Sequence, residues 1–217
     1  MHFCTPLRRA LVPAAVAIAA LTPSLSQALE LTDLPGVVAS ANRCYLNASC
    51  HPDGPWAAAN VIDNLPHDGT GNHAWNAGEY GSVGAPQWVR LDFGASYQLQ
   101  GVDLSFTYNV QYPNYTNVYQ VLTSLDGVSW SLAANGTLYD SANAALRNNT
   151  WSWAEGTGPV TRFVEYRVIG GSHWATLGEI SVQGVAAPVP EPASAAMALA
   201  GLGLTGWLAR RRTRAAR

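Results

Sequence analysis

Between residues 87 and 183 the hydrophobic positions recur with a period of two. Val89, Leu91 and Phe93 share one face of Gln87 to Phe93, and Val102, Leu104 and Phe106 share one face of Gln98 to Tyr108. Val118 to Ser124, Ser129 to Ala133, Arg162 to Ile169 and Glu179 to Gln183 are further short runs of β-branched and aromatic residues, bounded by Gly, Asn, Asp and Pro. Successive side chains of a strand point to opposite faces, so this alternation predicts half-buried strands. Asp126-Gly127, between two of the runs, predicts a hairpin turn. No stretch of the middle keeps a helical stripe, and no internal repeat is present. About eight strands in roughly 145 residues is the size of a β-sandwich or jelly roll, so the body is read as all-β.

Two apolar stretches at the ends break this pattern. Arg8 and Arg9 precede the run Ala10 to Leu21, and Ser26-Gln27-Ala28 places small residues where a signal peptidase reads them. Residues 1–28 are therefore expected to be a signal peptide, with the mature chain starting at Leu29. At the other end, residues 193–209 carry no charge and would make a helix of roughly 26 Å, barely enough to cross a bilayer. Arg210, Arg211 and Arg212 follow directly and would hold residues 210–217 on the cytoplasmic side. Val189-Pro190-Glu191-Pro192, the apolar segment and the arginine cluster together resemble the PEP-CTERM sorting signal of Gram-negative bacteria. That resemblance implies export, transient anchoring in the inner membrane by a C-terminal transmembrane helix, and recognition by an exosortase. Delivery to the cell surface or the extracellular polysaccharide matrix follows.

Composition narrows the partners. Only 12% of the 217 residues are charged, about half the usual share. All 12 basic residues are arginine, and residues 29–187 hold five of them against thirteen acids, a net of −8. Such a body repels phosphate backbones, which excludes nucleic acid as a partner and suits neutral ligands or a divalent metal. Cys4 leaves with the signal peptide, so Cys44 and Cys50 form an even pair in an oxidising compartment and are expected to be a disulfide. The alternative is a metal site on both thiolates, with His51 as the nearby further ligand.

A second resemblance spans about Ala39 to Gly184. It rests on Ala58-Ala59-Asn60-Val61-Ile62-Asp63 followed by Trp75, on Pro86-Gln87-Trp88-Val89-Arg90-Leu91-Asp92-Phe93-Gly94, and on Ser124-Leu125-Asp126-Gly127-Val128-Ser129-Trp130. Arg162-Phe163-Val164-Glu165-Tyr166-Arg167-Val168 and Leu177-Gly178-Glu179-Ile180-Ser181-Val182 complete it. In this order they resemble the discoidin, or coagulation factor 5/8 type C, family. The resemblance implies a galactose-binding-like jelly-roll β-sandwich whose end loops bind carbohydrate, lipid head groups or protein. Residues 29–38 would then be a lead-in, 39–184 the sandwich and 185–192 a linker. It also implies one structural Ca²⁺, for which Asp63 and Glu179 match the family's ligand positions, with Asp68, Thr70 and Asn72 completing the site. The stretch Asn64 to Ala74 is longer than the family's, and Asp63 has the alternative role of a turn former.

A sugar presents apolar C–H faces and a ring of hydroxyls, so its site calls for aromatic platforms and planar hydrogen-bonding side chains. The connection holding Tyr108, Gln111, Tyr112, Asn114 and Tyr115 is the richest in both, and His51, Trp56, His73, Trp151, Trp153, His173 and Trp174 lie in other loops or edges. Of these, His51, Trp56, His173 and Trp174 join the first group as candidate ligand-binding residues, whereas Trp151 and Trp153 alternate as on one strand face. The resemblance assigns Trp75, Trp88 and Trp130 to packing. No nucleophile elbow, Gly-rich phosphate loop or HExxH pair is present, so no enzymatic activity is expected. The expected function is an exported, exosortase-processed surface or matrix protein that binds carbohydrate non-catalytically. A matrix protein without a specific small ligand, or a polysaccharide-acting hydrolase or lyase, are the alternatives.

Overall fold

A computed structural model describes residues 27–65, 73–105, 116–139 and 148–187, and short helical pieces at 201–203, 206–207 and 210–211. Residues 1–26 of the expected signal peptide, Asp68, Thr70 and Asn72, the loop from Tyr108 to Tyr115, and Pro190, Glu191, Pro192 and Arg212 lie outside the described residues. Among the described residues no helix is long and apolar enough to cross a membrane.

The described chain forms β1 (Leu29–Glu30), β2 (Val38–Ala41), a 3-10 turn (Ala58–Ile62), β3 (Trp75–Asn76), β4 (Gln87–Ser105) and β5 (Thr116–Ser124). It continues with β6 (Ser131–Tyr139), β7 (Asn148–Ser152), β8 (Val160–Gly171), β9 (Thr176–Leu177) and β10 (Glu179–Ala186). Every pairing among them is antiparallel. The strands expected at 87–93 and 98–108 are one strand that turns a corner. Its first half pairs with β2 and β8, its second half with β10 and β7, so β4 belongs to both layers of a β-sandwich. Gly94, at φ +72°, permits the corner, and its N–H donates to Asp92 Oδ1 at 2.8 Å. The ladder to β8 slips between Asp92 and Tyr97.

The alternation places Val89, Leu91 and Phe93 inside from one layer, together with Tyr119, Val121, Val164, Tyr166 and Val168 of the β5 and β8 strands in that layer, and Leu99, Val102, Leu104, Ile180 and Val182 from the other. Trp75, fully buried, meets Tyr166 edge-on, and Tyr166 lies 5.4 Å from Tyr119. Trp88 and Trp130 depart from the packing expected of them. Both are half-buried and flank the Arg90 guanidinium, 4.6 and 4.4 Å from their ring centroids. Trp151 and Trp153 pack against the core rim.

Tyr119 Oη accepts hydrogen bonds from Trp151 Nε1 and Asn149 Nδ2, at 3.1 and 3.0 Å. Tyr119→Phe leaves both donors without this acceptor and is expected to cost about 1–3 kcal/mol in urea unfolding, with an unchanged m-value.

Two chain passages fix the polarity of the sandwich. β10 follows Gly178, whose N–H donates to Ser105 O, and runs roughly 25 Å to the β4 corner, where Ala187 N–H donates to Ser96 O. Leu29 pairs with Gly184 near that same far end.

Candidate functional site

The near end of the sandwich is made by residues 43–56, 76–82 and 172–178. Trp75 projects from the core to donate its indole N–H to Arg43 O at 2.8 Å. Tyr45 N–H donates to Asn76 O at 2.7 Å, and the Asn76 side chain accepts from Gly78 N–H at 2.7 Å. Ala77 N–H donates to Ala175 O, and Ala175 N–H reaches Glu79 O. These ties set four rings in a row. Tyr45 lies 5.0 Å from Trp174, Trp174 5.3 Å from His173, and His173 6.1 Å from Tyr80. Tyr45, His173 and Trp174 are half-buried and Tyr80 is exposed, while Arg43 and Glu79 form a 2.8 Å ion pair at the rim. Burial holds the His173 imidazole below its ordinary pKa, so it stays neutral around pH 7. Rings half in water beside a charged rim offer both faces a sugar requires.

Cys44 and Cys50 are bonded, with Cα atoms 5.2 Å apart. The loop they close also begins a cavity of about 540 Å³ lined by Asn42, Arg43, Leu46 and Asn47. His51 and Trp56 follow on this loop. The His51 backbone is held by both ends of the Asn47 amide, and its imidazole accepts from Asp53 N–H.

The flanks of segment 106–115 reach the same end. Ser105 O accepts from Gly178 N–H, and Thr116 O accepts from Ser172 N–H. The described residues that flank the aromatic connection singled out in the sequence, Ser105 and Thr116, thus meet Gly178 and Ser172, on either side of His173 and Trp174 in the chain. Tyr45, Arg43 and Tyr80 carry no such signal, apart from the position of Tyr45 between two cysteines.

A second cluster gathers Glu30, Asp33, Asp63 and Glu179. Burial, then the charges of Asp63, Asp33 and Glu30, push the Glu179 carboxyl up to about 8, opposed by a hydrogen bond from the Asn64 backbone. Glu179 Oε2 is buried without a hydrogen-bond partner among the described residues. Asp63 accepts from Leu65 N–H at 2.9 Å, as a turn former does, and its other oxygen lies 2.8 Å from His73 Nδ1. Asn64, at φ +59°, holds Asp33 through its side-chain amide at 2.7 Å. Carboxylates that raise one another's charge cost, one of them with a buried oxygen unpartnered among the described residues, are the hard oxygen donors that a divalent cation takes, and an ion would relieve their repulsion. Among the described residues no group of three His, Cys, Asp or Glu forms a complete metal site.

The family model of the F5/8 type C domain matches residues 46–181. The chain belongs to this family. Beyond its F5/8 type C domain, residues 188–212 match the PEP-CTERM protein-sorting motif, which marks an exported, sorted protein. No curated protein matches the chain. Among solved structures, CpGH89CBM32-5 from Clostridium perfringens, in complex with GalNAc-β-1,3-galactose, superposes with a TM-score of 0.52 at 19% identity, over 72% of this chain and 99% of that one. A putative chitobiase fragment from Bacteroides thetaiotaomicron gives 0.52 at 17% identity, over 77% and 96% of the two chains. A fucolectin from striped bass (Morone saxatilis) serum gives 0.50 at 22%, over 71% and 49%. At these identities the neighbours establish the fold of the F5/8 type C domain.

Proposed function

We propose that this protein is an exported surface or matrix protein whose F5/8 type C domain binds carbohydrate without catalysis, at the end that carries Tyr45, Trp174, His173 and Tyr80. The row of part-exposed rings beside the Arg43–Glu79 pair carries this reading. Tyr108, Gln111, Tyr112, Asn114 and Tyr115, from the segment whose flanks adjoin this end, and His51 and Trp56, from the stretch after Tyr45, are assigned to the same site in this reading. The disaccharide in the Clostridium complex supports a glycan ligand, and the sorting motif supports handling by an exosortase at the inner membrane, before release to the surface or exopolysaccharide. In the same reading Asp63 and Glu179 hold Ca²⁺ with Asp68, Thr70 and Asn72. Once bound, the ion would neutralise the carboxylates and pin the segment after Asp63.

Calorimetric titration of the full chain against galactose, N-acetylgalactosamine, fucose, GalNAc-β-1,3-galactose and matrix polysaccharide tests the reading. Binding to at least one is expected, and Trp174→Ala should weaken it by about thirtyfold, as loss of a central aromatic anchor does. A folded protein that binds none of them favours a matrix protein without a specific small ligand. Release of reducing ends from the polysaccharide would instead mark a hydrolase.

A further inference from the structure

Tyr45 sits inside the small ring that the disulfide closes. It follows Cys44, which is buried in the core, and the bond to Cys50 returns the chain to the same place six residues later. Within this loop Leu46 and Cys50 adopt φ values of +56° and +49°, and Trp56, shortly beyond it, adopts +54°. These are left-handed conformations that residues other than glycine take up only where the surroundings impose them. The surroundings here are covalent and polar. Asn47 N–H donates to Cys44 O, Cys50 N–H to Asn47 O, and the Asn47 amide both donates to and accepts from the His51 backbone.

The Tyr45 ring has one seat. On one side it meets Trp174, and on the other it covers Gly78, where an added Cβ would come within 2.6 Å of Tyr45 Cδ2. Gly78 is itself left-handed, at φ +70°, and is held by the Asn76 side chain. The seat is therefore part of the β3–β9 framework, to which Tyr45 N–H is also tied through Asn76 O, whereas the backbone that continues from the ring is the left-handed disulfide loop.

We infer that the Cys44–Cys50 bond is a positioning device for ligand binding: it holds the Tyr45 ring against Trp174, and its opening lets the loop relax and lowers affinity while the sandwich stays folded. The inference rests on the proposed carbohydrate site, and makes that site sensitive to thiol reductants. The ring lost from the row is the one nearest the Arg43 rim and the cavity of residues 42–48.

The test uses the full chain and a Cys44→Ser/Cys50→Ser variant, followed by two readouts. Nuclear Overhauser effects between the Tyr45 and Trp174 rings report the seat without any ligand. They are expected in the oxidised wild type and absent from the variant, with the far-UV spectrum unchanged. Affinity for GalNAc-β-1,3-galactose, or for whichever sugar of the panel binds the wild type, should fall about tenfold. That loss should vanish in a Tyr45→Ala background, because the disulfide acts through the ring, whereas a general loosening would give additive losses. Overhauser effects that persist in the double-serine variant overturn the inference whatever the sugar does. Their disappearance with affinity unchanged overturns it as well, and so do additive losses. A wild type that binds no sugar refutes the carbohydrate site and with it the link to binding.

Discussion

Replacing Glu165 with alanine is expected to lower the unfolding free energy by about 3 kcal/mol, measured by urea denaturation. Glu165 is fully buried, although it lies on the side of β8 that carries the charged residues. Arg90 Nε and Nη2 both donate to its Oε2, at 3.1 and 2.8 Å, and Arg167 Nε donates to Oε1 at 2.7 Å. Trp88 and Trp130 flank the Arg90 guanidinium and cover part of it. Removing the carboxylate leaves Arg90 and Arg167, both largely buried, without the acceptor they share. Both arginines retain about a quarter of their side-chain exposure, which keeps the cost at the lower end for a broken buried pair. Glu165→Gln keeps the shape and one acceptor, so it should cost less. A loss below about 0.5 kcal/mol for Glu165→Ala would mean that the network is decoration on a sheet held by its core.

The second large effect joins calcium and pH. With chelator present, stability should decline as pH rises from 4.5 to about 8, and level off above. The Glu179 carboxyl titrates near 8 in the folded chain against an ordinary 4.5, so the folded state binds its proton more tightly. Its stabilising contribution is complete below 4.5 and is lost as the pH climbs through the folded value. Saturating Ca²⁺ should oppose this decline, because the cation replaces the proton as the charge that the carboxylates face. At a concentration about one hundred times its dissociation constant, the ion should add about 2.7 kcal/mol. Glu179→Gln should flatten the pH dependence and abolish most of the calcium effect, both read by thermal scans. No rise in midpoint with Ca²⁺ at about pH 8 would remove the metal from the proposal.

The fold was legible where burial is one-sided. Val89, Leu91, Phe93, Val102 and Leu104 announce their strands because each faces the core while polar neighbours alternate with them. The corner that makes β4 one strand was not legible as continuity. Gly94 and the residues after it look like an ordinary turn, and what carries the ladder through is pairing with β8, roughly seventy residues away. Trp88 and Trp130 misled for a related reason. The family resemblance assigns both to packing, and only Arg90 and the buried Glu165, distant in sequence from Trp130, turn these two into an outer clasp. At the site, His173 and Trp174 were visible as loop aromatics. Tyr45 was not, because its significance depends on Gly78 and Trp174, which arrive from two other loops. Asp63 and Glu179 were assigned to one place through the family resemblance, and their mutual charge effect places them near each other. His73 at the Asp63 carboxylate carries no local signal.

β10 (Glu179–Ala186) carries the chain along the length of the sandwich, from the end with the rings to the corner of β4. Any attachment made through residues after Ala187 grips the domain at the corner end, roughly 25 Å from the rings. On the proposed function, copies attached to one surface in this way would meet it with the corner end and carry the rings at the opposite end. A polymer with repeating sugars would meet them as an array, so that a weak single contact becomes durable adhesion through the effective concentration of its neighbours.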